Sequence, residues 1–196
     1  MIAGIVLAAG RSSRFGGIKP LAEFGGRPLI LWPIAAMTEA GLDTVIVVTG
    51  ANAEPIQEAL ASVAGCRVEN CARWRDGQAR SLQAGLLVAE SLKADAALVA
   101  LADQPLIHAD AIKRVVGHRA VDALAVRATY EGVAGHPVLL ERPLWPSLHT
   151  LEGDQGASAV LSTVRVIDVP CDGLGSAADV DTPEDLERLR AQHAER

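Results

Sequence analysis

The chain has 196 residues with a formal net charge of −6 at pH 7, and hydrophobic residues make up 49% of it. This length predicts one domain over residues 1–196, and the acidic balance argues against a nucleic-acid or membrane-surface partner, since both favour positively charged proteins. The three cysteines do not form a disulfide framework or a zinc pattern, and the N-terminus has neither a cationic leader nor a membrane-spanning apolar run, so a cytoplasmic protein is expected.

Short apolar runs alternate along the chain with stretches of helical periodicity. In chain order, the predicted strands are IAGIVLAA, TVIVVTG, ADAALVALAD, DALAVRATY and VRVIDVP, and the predicted helices are PLILWPIAAMTEA, AEPIQEALASV, ARSLQAGLLVAESL and ADAIKRVVGHR. Pro28, Pro55 and Pro183 are expected near helix starts. Strands that are apolar along their whole length indicate a mainly parallel central sheet between two helical layers, an α/β fold. Residues 130–156 show the least regular pattern and are expected to contact substrate.

A loop rich in glycine and cations follows the first predicted strand. It holds Gly10, Gly16 and Gly17, the hydroxyl residues Ser12 and Ser13, and the cations Arg11, Arg14 and Lys19, with no carboxylate before Glu23. Because ligands gather beyond the carboxyl ends of parallel strands, the loop is expected to bind a triphosphate. The three cations are expected to stay unpaired until that substrate arrives. The loop lacks the GxGxxG fingerprint of dinucleotide binding, and its lysine is not followed by the Ser or Thr of a Walker A motif.

A carboxylate stands at the end of the third of these predicted strands. Seven consecutive apolar residues, 96–102, precede Asp103, Gln104 and Pro105. Pro105 biases Gln104 towards an extended conformation, so Asp103 is expected to face the same cleft as the glycine-rich loop. A carboxylate beside a triphosphate needs a cation between them, and Mg²⁺ takes one or two carboxylates together with phosphate oxygens. Asp103 is therefore the first predicted metal ligand, with a helix-capping Asp as the alternative.

Two further acids, Asp179 and Asp181, precede a helix start at residues 182–185 that has a capping-box pattern. In an extended segment their side chains share one face, so either could add a second carboxylate to the metal. Asp181 is the preferred ligand. The alternative is that both acids only favour the positive end of the following helix.

Several motifs carry a resemblance to one family. Residues 7–19, LAAGRSSRFGGIK, resemble the LxxGxSxRMGxxK signature of the nucleotidyltransferases that complete the molybdenum cofactor, and LAAG is similar to the cytidylyltransferase branch. The segments ADQPL and DVDTPEDL resemble its GDQP and DIDTPEDL motifs, and three others resemble its NxxWxxGxxxSLxxGL, GHP and GDxGA motifs. The resemblance covers Val6 to Leu189 and implies a three-layer, Rossmann-like fold of the GT-A type.

The resemblance also implies roles for individual residues. Catalysis would depend on Lys19, Arg14 and Asp103, and Mg²⁺ would bind Asp103. The resemblance places Asp179 and Asp181 near the active site without saying which of them binds the metal, and Asp181 stays the preferred second ligand. The nucleotide would contact Leu7, Ala8, Ala9, Gly10, Arg11, Ser12, Ser13, Gly16, Lys19, Asn70 and Ser81, and the second substrate would contact Gln104, His136 and Asp154. Judged by the residues alone, His136 is instead expected to be a structural residue in a turn that leads into a strand.

The implied reaction transfers CMP from CTP to the terminal phosphate of molybdopterin and releases pyrophosphate. The product would pass to a molybdenum hydroxylase or its chaperone. Ala9 and Gln104 disfavour the guanylyltransferase branch. A transferase acting on a sugar phosphate or alcohol phosphate is a wider alternative, because the same sheet and metal chemistry serve those substrates. A nucleotide-binding escort module without catalysis is the alternative outside enzymes.

Overall fold

The computed structural model describes residues 1–42 and 44–194 of the chain. The strands are β1 (Ile2–Ala8), β2 (Glu23–Phe24), β3 (Arg27–Pro28), β4 (Val45–Thr49), β5 (Cys66–Asn70), β6 (Ala96–Leu101), β7 (Ala125–Tyr130), β8 (Val133–Glu141) and β9 (Val166–Pro170). The helices are α1 (Leu31–Glu39), α2 (Ala53–Leu60), α3 (Gln78–Ser91), α4 (Ala109–Gly117), α5 (Trp145–Leu148), α6 (Ser158–Leu161) and α7 (Pro183–Ala194). Each predicted strand and helix is present; most are shorter than predicted, whereas α3 has the predicted length and begins one residue earlier, at Gln78.

The central sheet has seven strands in the order β5-β4-β1-β6-β8-β7-β9. Strand β8 pairs antiparallel with β6 and with β7, whereas the other pairs are parallel. Strands β1 and β6 lie side by side at its centre, with Leu7 opposite Leu101. The segments that follow these two strands therefore leave the same edge of the sheet as neighbours, and this edge is where ligands of such sheets bind.

Two apolar cores lie on opposite faces of the sheet. Along β1, Val6 packs into the core that contains residues of α1, α2 and α4, and Ile5 packs into the core that contains residues of α3, α5 and α6. Both side chains are fully buried. Strands buried on both faces explain the unbroken apolar runs of the sequence. The prediction of a three-layer, mainly parallel α/β fold is confirmed.

Two local predictions were wrong. Pro28 does not begin a helix: it pairs with Glu23 in the β2–β3 hairpin, and α1 begins at Leu31. The segment 130–156 is not irregular throughout, because it contains the nine residues of β8 and the short helix α5. The regular structure was hidden by Gly135, His136 and Pro137, which interrupt the apolar pattern before the buried residues of β8.

The β2–β3 hairpin and helix α7 form a third, smaller core. Phe24 and Leu29 pack there with Val180, Leu186 and Leu189. This packing holds the segment before α7 against the region that follows β1 and β6. Within residues 1–42 and 44–194, none of the helices has the length and apolar character needed to cross a bilayer.

Candidate active site

The loop after β1, here the β1 loop (residues 9–18), borders one side of a cavity of about 460 Å³. This loop cavity is lined by Gly10 and Arg11 from the loop, by Trp74, Gln78 and Ser81 from the segment that begins α3, and by Asp103. Ser12 has a φ of 55° and its carbonyl accepts a hydrogen bond from the Phe15 amide at 3.0 Å, so the loop turns tightly here. Of the loop residues predicted to bind phosphate, Gly10 and Arg11 therefore border this cavity.

The pairing of β1 with β6 places Asp103 opposite the β1 loop. The Ala102 amide donates to the Leu7 carbonyl at 3.1 Å, which continues the strand pairing to the residue before Asp103. Further along the chain, the Val180 amide donates to the Asp103 carbonyl at 3.0 Å. The acids that flank Val180 are thereby fixed beside Asp103, although they are more than 70 residues away in sequence.

Lys19 lies between two of these acids. Its Nζ is 2.6 Å from Asp103 Oδ2 and 3.2 Å from Asp181 Oδ1, and its side chain is only 12% exposed. Arg14 Nη2 lies 3.1 Å from Asp181 Oδ2, but the Arg14 side chain is 71% exposed. Lys19 is thus held firmly, whereas Arg14 contacts the acid from the solvent side.

The expectation of unpaired cations was wrong for two of the three, Lys19 and Arg14. Lys19 and Arg14 have carboxylate partners, and the Arg11 guanidinium lies 5.4 Å from the centre of the Trp74 ring. The partners of Lys19 are 84 and 162 residues away along the chain. A stretch of sequence without nearby acids therefore says nothing about the acids that the fold brings to it.

Asp179 and Asp181 have different partners. Gln104 is 3% exposed, and its Nε2 donates to Asp179 Oδ1 at 2.7 Å and to the Ala177 carbonyl at 3.2 Å. Burial raises the pKa of Asp179, and the hydrogen bond from Gln104 opposes that rise. Asp181 is the acid that faces Lys19 and the β1 loop, which favours it over Asp179 as the second carboxylate for a metal.

The donor set around Lys19 fits a divalent metal bound together with phosphate. Asp103 Oδ1 is buried and has no hydrogen-bond partner among the described residues. In the described part of the chain, no cluster of three or more His, Cys, Asp or Glu side chains is arranged to hold a metal. Mg²⁺ needs only one or two carboxylates when phosphate oxygens and waters complete its shell. Asp103 and Asp181 are therefore sufficient as the protein's ligands.

A second cavity, of about 550 Å³, adjoins the first. Leu7, Gln78 and Leu101 line both of them. The walls of this aliphatic cavity are mainly aliphatic and include Leu82, Val99, Val138, Leu140 and Leu161.

The polar side chains of the aliphatic cavity are few. They are Gln78, Gln104, His136, Ser158, Asp179 and Arg127, and the Arg127 guanidinium is already paired with Asp168 at 2.9 and 3.2 Å. Burial lowers the pKa of His136 to about 4, so this imidazole is neutral at pH 7. The cavity suits a largely apolar, uncharged body.

Residues 4–168 match the model of the MobA-like NTP transferase domain family. The chain belongs to this family. It is 32% identical to a protein named nicotine blue oxidoreductase from Paenarthrobacter nicotinovorans, over 96% of both chains, and 28% identical to the purine catabolism protein PucB of Bacillus subtilis, over 95% of both. This MobA-like protein is a nucleotidyltransferase, and a nucleoside triphosphate is its substrate.

Solved structures agree with this fold. The Rv0371c protein of Mycobacterium tuberculosis superposes with a TM-score of 0.82 at 28% identity, covering 97% of this chain and 98% of that one. A second structure of Rv0371c, in complex with manganese, covers the same shares with a TM-score of 0.79 at 26% identity. A nucleotidyl transferase from Methanothermobacter has the same fold, with a TM-score of 0.82 at 24% identity over 100% of this chain and 98% of that one.

Most of the predicted nucleotide contacts of this MobA-like transferase border cavities. Leu7, Ala9, Gly10, Arg11 and Ser81 line the loop cavity, and Leu7, Ala8, Gly10, Ser12 and Lys19 line a smaller space of about 100 Å³ beside Asp103. Asn70, Ser13 and Gly16 are exposed and line neither. Asn70 ends the edge strand β5, two strands away from β1, which explains its position outside the site.

The predicted contacts of the second substrate divide between the two cavities. Gln104 and His136 line the aliphatic cavity, but Asp154 lines the loop cavity. Asp154 is held there because its carbonyl accepts a hydrogen bond from Gln78 Nε2 at 2.5 Å. Sequence reasoning missed Gln78, which lines both cavities. Its position at the first turn of α3, directly after Gly77, was the signal that could have identified it.

Proposed function

We propose that this MobA-like transferase moves CMP from CTP to the terminal phosphate of a molybdopterin-type acceptor and releases pyrophosphate. The observation that carries the proposal is the position of Lys19, within 3.2 Å of both Asp103 and Asp181, beside a loop cavity that adjoins an aliphatic cavity. One cavity has cations and amides for a triphosphate, and the other has apolar walls for a second molecule. The reacting phosphates would meet at the shared wall.

In the proposed reaction, an oxygen of the acceptor's phosphate attacks the α-phosphorus of CTP. The new phosphorus–oxygen bond forms as the bond between the α-phosphorus and the bridging oxygen to the β-phosphorus breaks, and pyrophosphate leaves with that electron pair. Lys19 and Arg14 would offset the negative charge of the phosphates. A divalent metal held by Asp103 and Asp181, when bound, supplies further positive charge and orients the triphosphate.

The reaction does not need a strong general base, because the attacking phosphate is already anionic. The neutral His136 imidazole would therefore serve to hold the acceptor rather than to abstract a proton. The Tyr130 hydroxyl donates to the His136 carbonyl at 3.0 Å, which ties this part of β8 to β7. A fixed, uncharged imidazole suits contact with a heterocycle.

The walls of the aliphatic cavity support a heteroaromatic acceptor over a sugar phosphate. A sugar ring carries several hydroxyl groups, each of which loses free energy when it is buried without a hydrogen-bond partner. The aliphatic residues, which form most of this lining, offer no such partners, and hydrogen-bonding groups come from a minority of side chains: Gln78, Gln104, Arg127, His136, Ser158 and Asp179. A flat, mostly apolar ring system with a few polar edges, such as a pterin, matches that distribution.

The test is a pyrophosphate-release screen with Mg²⁺ that crosses the four common nucleoside triphosphates with molybdopterin and with a panel of sugar phosphates. We expect release with CTP and molybdopterin, and CTP should outcompete equimolar GTP. The Asp103→Asn protein is the control for contaminating activity. Release only with GTP would identify a guanylyltransferase, and release only with a sugar phosphate would reassign the acceptor. CTP binding without release from any acceptor would instead indicate the escort module.

Delivery of the product to a molybdenum hydroxylase or its chaperone belongs to the same proposal. So do the single domain and the cytoplasmic location expected from the sequence. Co-purification of the loaded protein with a molybdenum enzyme from the same cell tests the delivery step. Retention of all labelled product on this protein in the presence of such an enzyme would argue against it.

A further inference from the structure

Lys19 occupies the space between the two carboxylates that the proposed function assigns to the metal. Its ammonium contacts Asp103 Oδ2 at 2.6 Å and Asp181 Oδ1 at 3.2 Å. At 12% exposure, Lys19 is the more buried of the two cations that contact these acids, since Arg14 is 71% exposed. The contact is therefore a fixed part of the nucleotide-free protein rather than a fluctuating surface pair.

An ammonium and a divalent cation compete for these oxygens. Lys19 already contacts one oxygen of each acid, and a divalent ion held by the same two carboxylates would repel the ammonium strongly at such short distances. Asp103 Oδ1 is buried and has no hydrogen-bond partner among the described residues. A divalent ion that enters this site alone must displace Lys19 without offering it another anion.

A triphosphate supplies that other anion. The space of about 100 Å³ next to Lys19 is lined by Gly10 and Ser12 of the β1 loop and by Asp103. Phosphate oxygens in this space would lie on the loop side of the ammonium. Since the lysine stem has four rotatable methylene groups, the ammonium can swing from the carboxylates to the phosphate without a change in the backbone.

We propose that Lys19 is a built-in counter-cation that keeps Asp103 and Asp181 closed to the metal until a nucleotide draws it away. Metal and nucleotide then bind cooperatively, because each stabilises the arrangement that the other needs. This inference rests on the proposed function for the identity of the metal ligands. It adds an order of binding: the metal does not bind to the protein before the nucleotide does.

The test measures Mn²⁺ binding to the nucleotide-free protein through the loss of the EPR signal of free Mn²⁺. We expect Lys19→Met, which keeps the length of the side chain and removes its charge, to bind Mn²⁺ at least tenfold more tightly than the wild type. Arg11→Met is the matched control: it removes one cation from the same loop, but the Arg11 guanidinium lies over Trp74 and not between the acids. Its Mn²⁺ affinity should change less than threefold.

A second variant and a double variant make the result decisive. Lys19→Gln replaces Lys19→Met in the Mn²⁺ binding test if Lys19→Met melts at a much lower temperature than the wild type. Adding Asp103→Asn to either Lys19 variant should abolish the gain, which locates the ion. The proposal is overturned if both Lys19 variants bind Mn²⁺ no more tightly than the wild type, or if the gain survives Asp103→Asn. Pyrophosphate release by the wild type is measured separately, so failure here leaves the transferase reaction standing.

Discussion

The contact between Gly77 and Gly153 predicts a large effect from one added methyl group. A Cβ on Gly77 would lie 2.0 Å from the carbonyl carbon and oxygen of Gly153, and Gly77 has a φ of 106°. The loop that contains Gly153 is bound to the start of α3 by two hydrogen bonds, from the Ala79 amide to Gly153 at 3.2 Å and from Gln78 to Asp154 at 2.5 Å. Gly77→Ala should push this loop away from the helix.

The magnitude follows from two contributions. A residue with a side chain at this φ and a ψ of 169° costs about 1–3 kcal/mol in backbone strain. The Gly153 backbone must also move by about 1 Å to restore an allowed contact, which disrupts both hydrogen bonds at a cost of about 1 kcal/mol each. Gly41→Ala is the matched control, since Gly41 has a φ of 87° and no atom of the described residues lies within 4 Å of its added Cβ. It should cost only the strain, about 1–2 kcal/mol.

The assays are thermal unfolding and pyrophosphate release. Gly77→Ala should melt lower than Gly41→Ala by about 4–8 °C, because about 2 kcal/mol separates the two variants and a chain of this size loses about 2–4 °C per kcal/mol. Since the displaced loop carries Asp154 of the loop cavity, kcat/KM should fall by about 10- to 100-fold, and in Gly41→Ala it should stay within twofold of wild type. Equal melting temperatures and equal turnover in the two variants would show that this loop does not press on α3.

Three further predictions concern the site. Lys19→Ala should lower kcat by at least ~100-fold, the scale for losing one preorganised charge, while far-UV circular dichroism stays unchanged; near-normal turnover would remove Lys19 from the chemistry. Asp103→Asn should abolish metal-dependent turnover, whereas Asp179→Asn should mainly raise the KM for the acceptor. Equal losses of kcat in the two variants would contradict these separate roles. In the folded protein the pKa of His136 is about 4, against an ordinary value of 6.5. As pH falls, the unfolded chain therefore takes up a proton on this imidazole before the folded protein does. About 3 kcal/mol of folding stability that is present above pH 6.5 is thereby lost by pH 4. Urea unfolding of His136→Asn should show a shallower loss over that window, and an unchanged slope would mean that His136 is not buried as described.

The central part of the site was predictable from sequence because it depends on local patterns. An unbroken apolar run identifies a strand buried on both faces, and the residue after the run lies at the edge where ligands bind. That reasoning identified Asp103 and the β1 loop. The pairing of β1 with β6 brings both to one place, as the sequence reasoning assumed.

Contacts between distant segments were not predictable in the same way. The pairing of Lys19 with Asp181 spans 162 residues and depends on the packing of α7 and the β2–β3 hairpin. Strand β8 was missed because it is antiparallel, and its first residues, up to His136, are not fully buried. The cavity that Asp154 borders depends on the hydrogen bond with Gln78, and no local pattern encodes that contact.

Val180 explains how two acids in one short motif come to have different partners. Its side chain is fully buried with Phe24 and Leu186, and its amide is bonded to the Asp103 carbonyl. With Val180 fixed at both points, the residues on either side cannot exchange places: Asp179 is hydrogen-bonded to Gln104 at the aliphatic cavity, and Asp181 is paired with Lys19. The alternation that predicts one shared face for the acids does not determine their partners. Val180, buried between the two carboxylates, thus fixes Asp179 beside the aliphatic cavity and Asp181 beside Lys19.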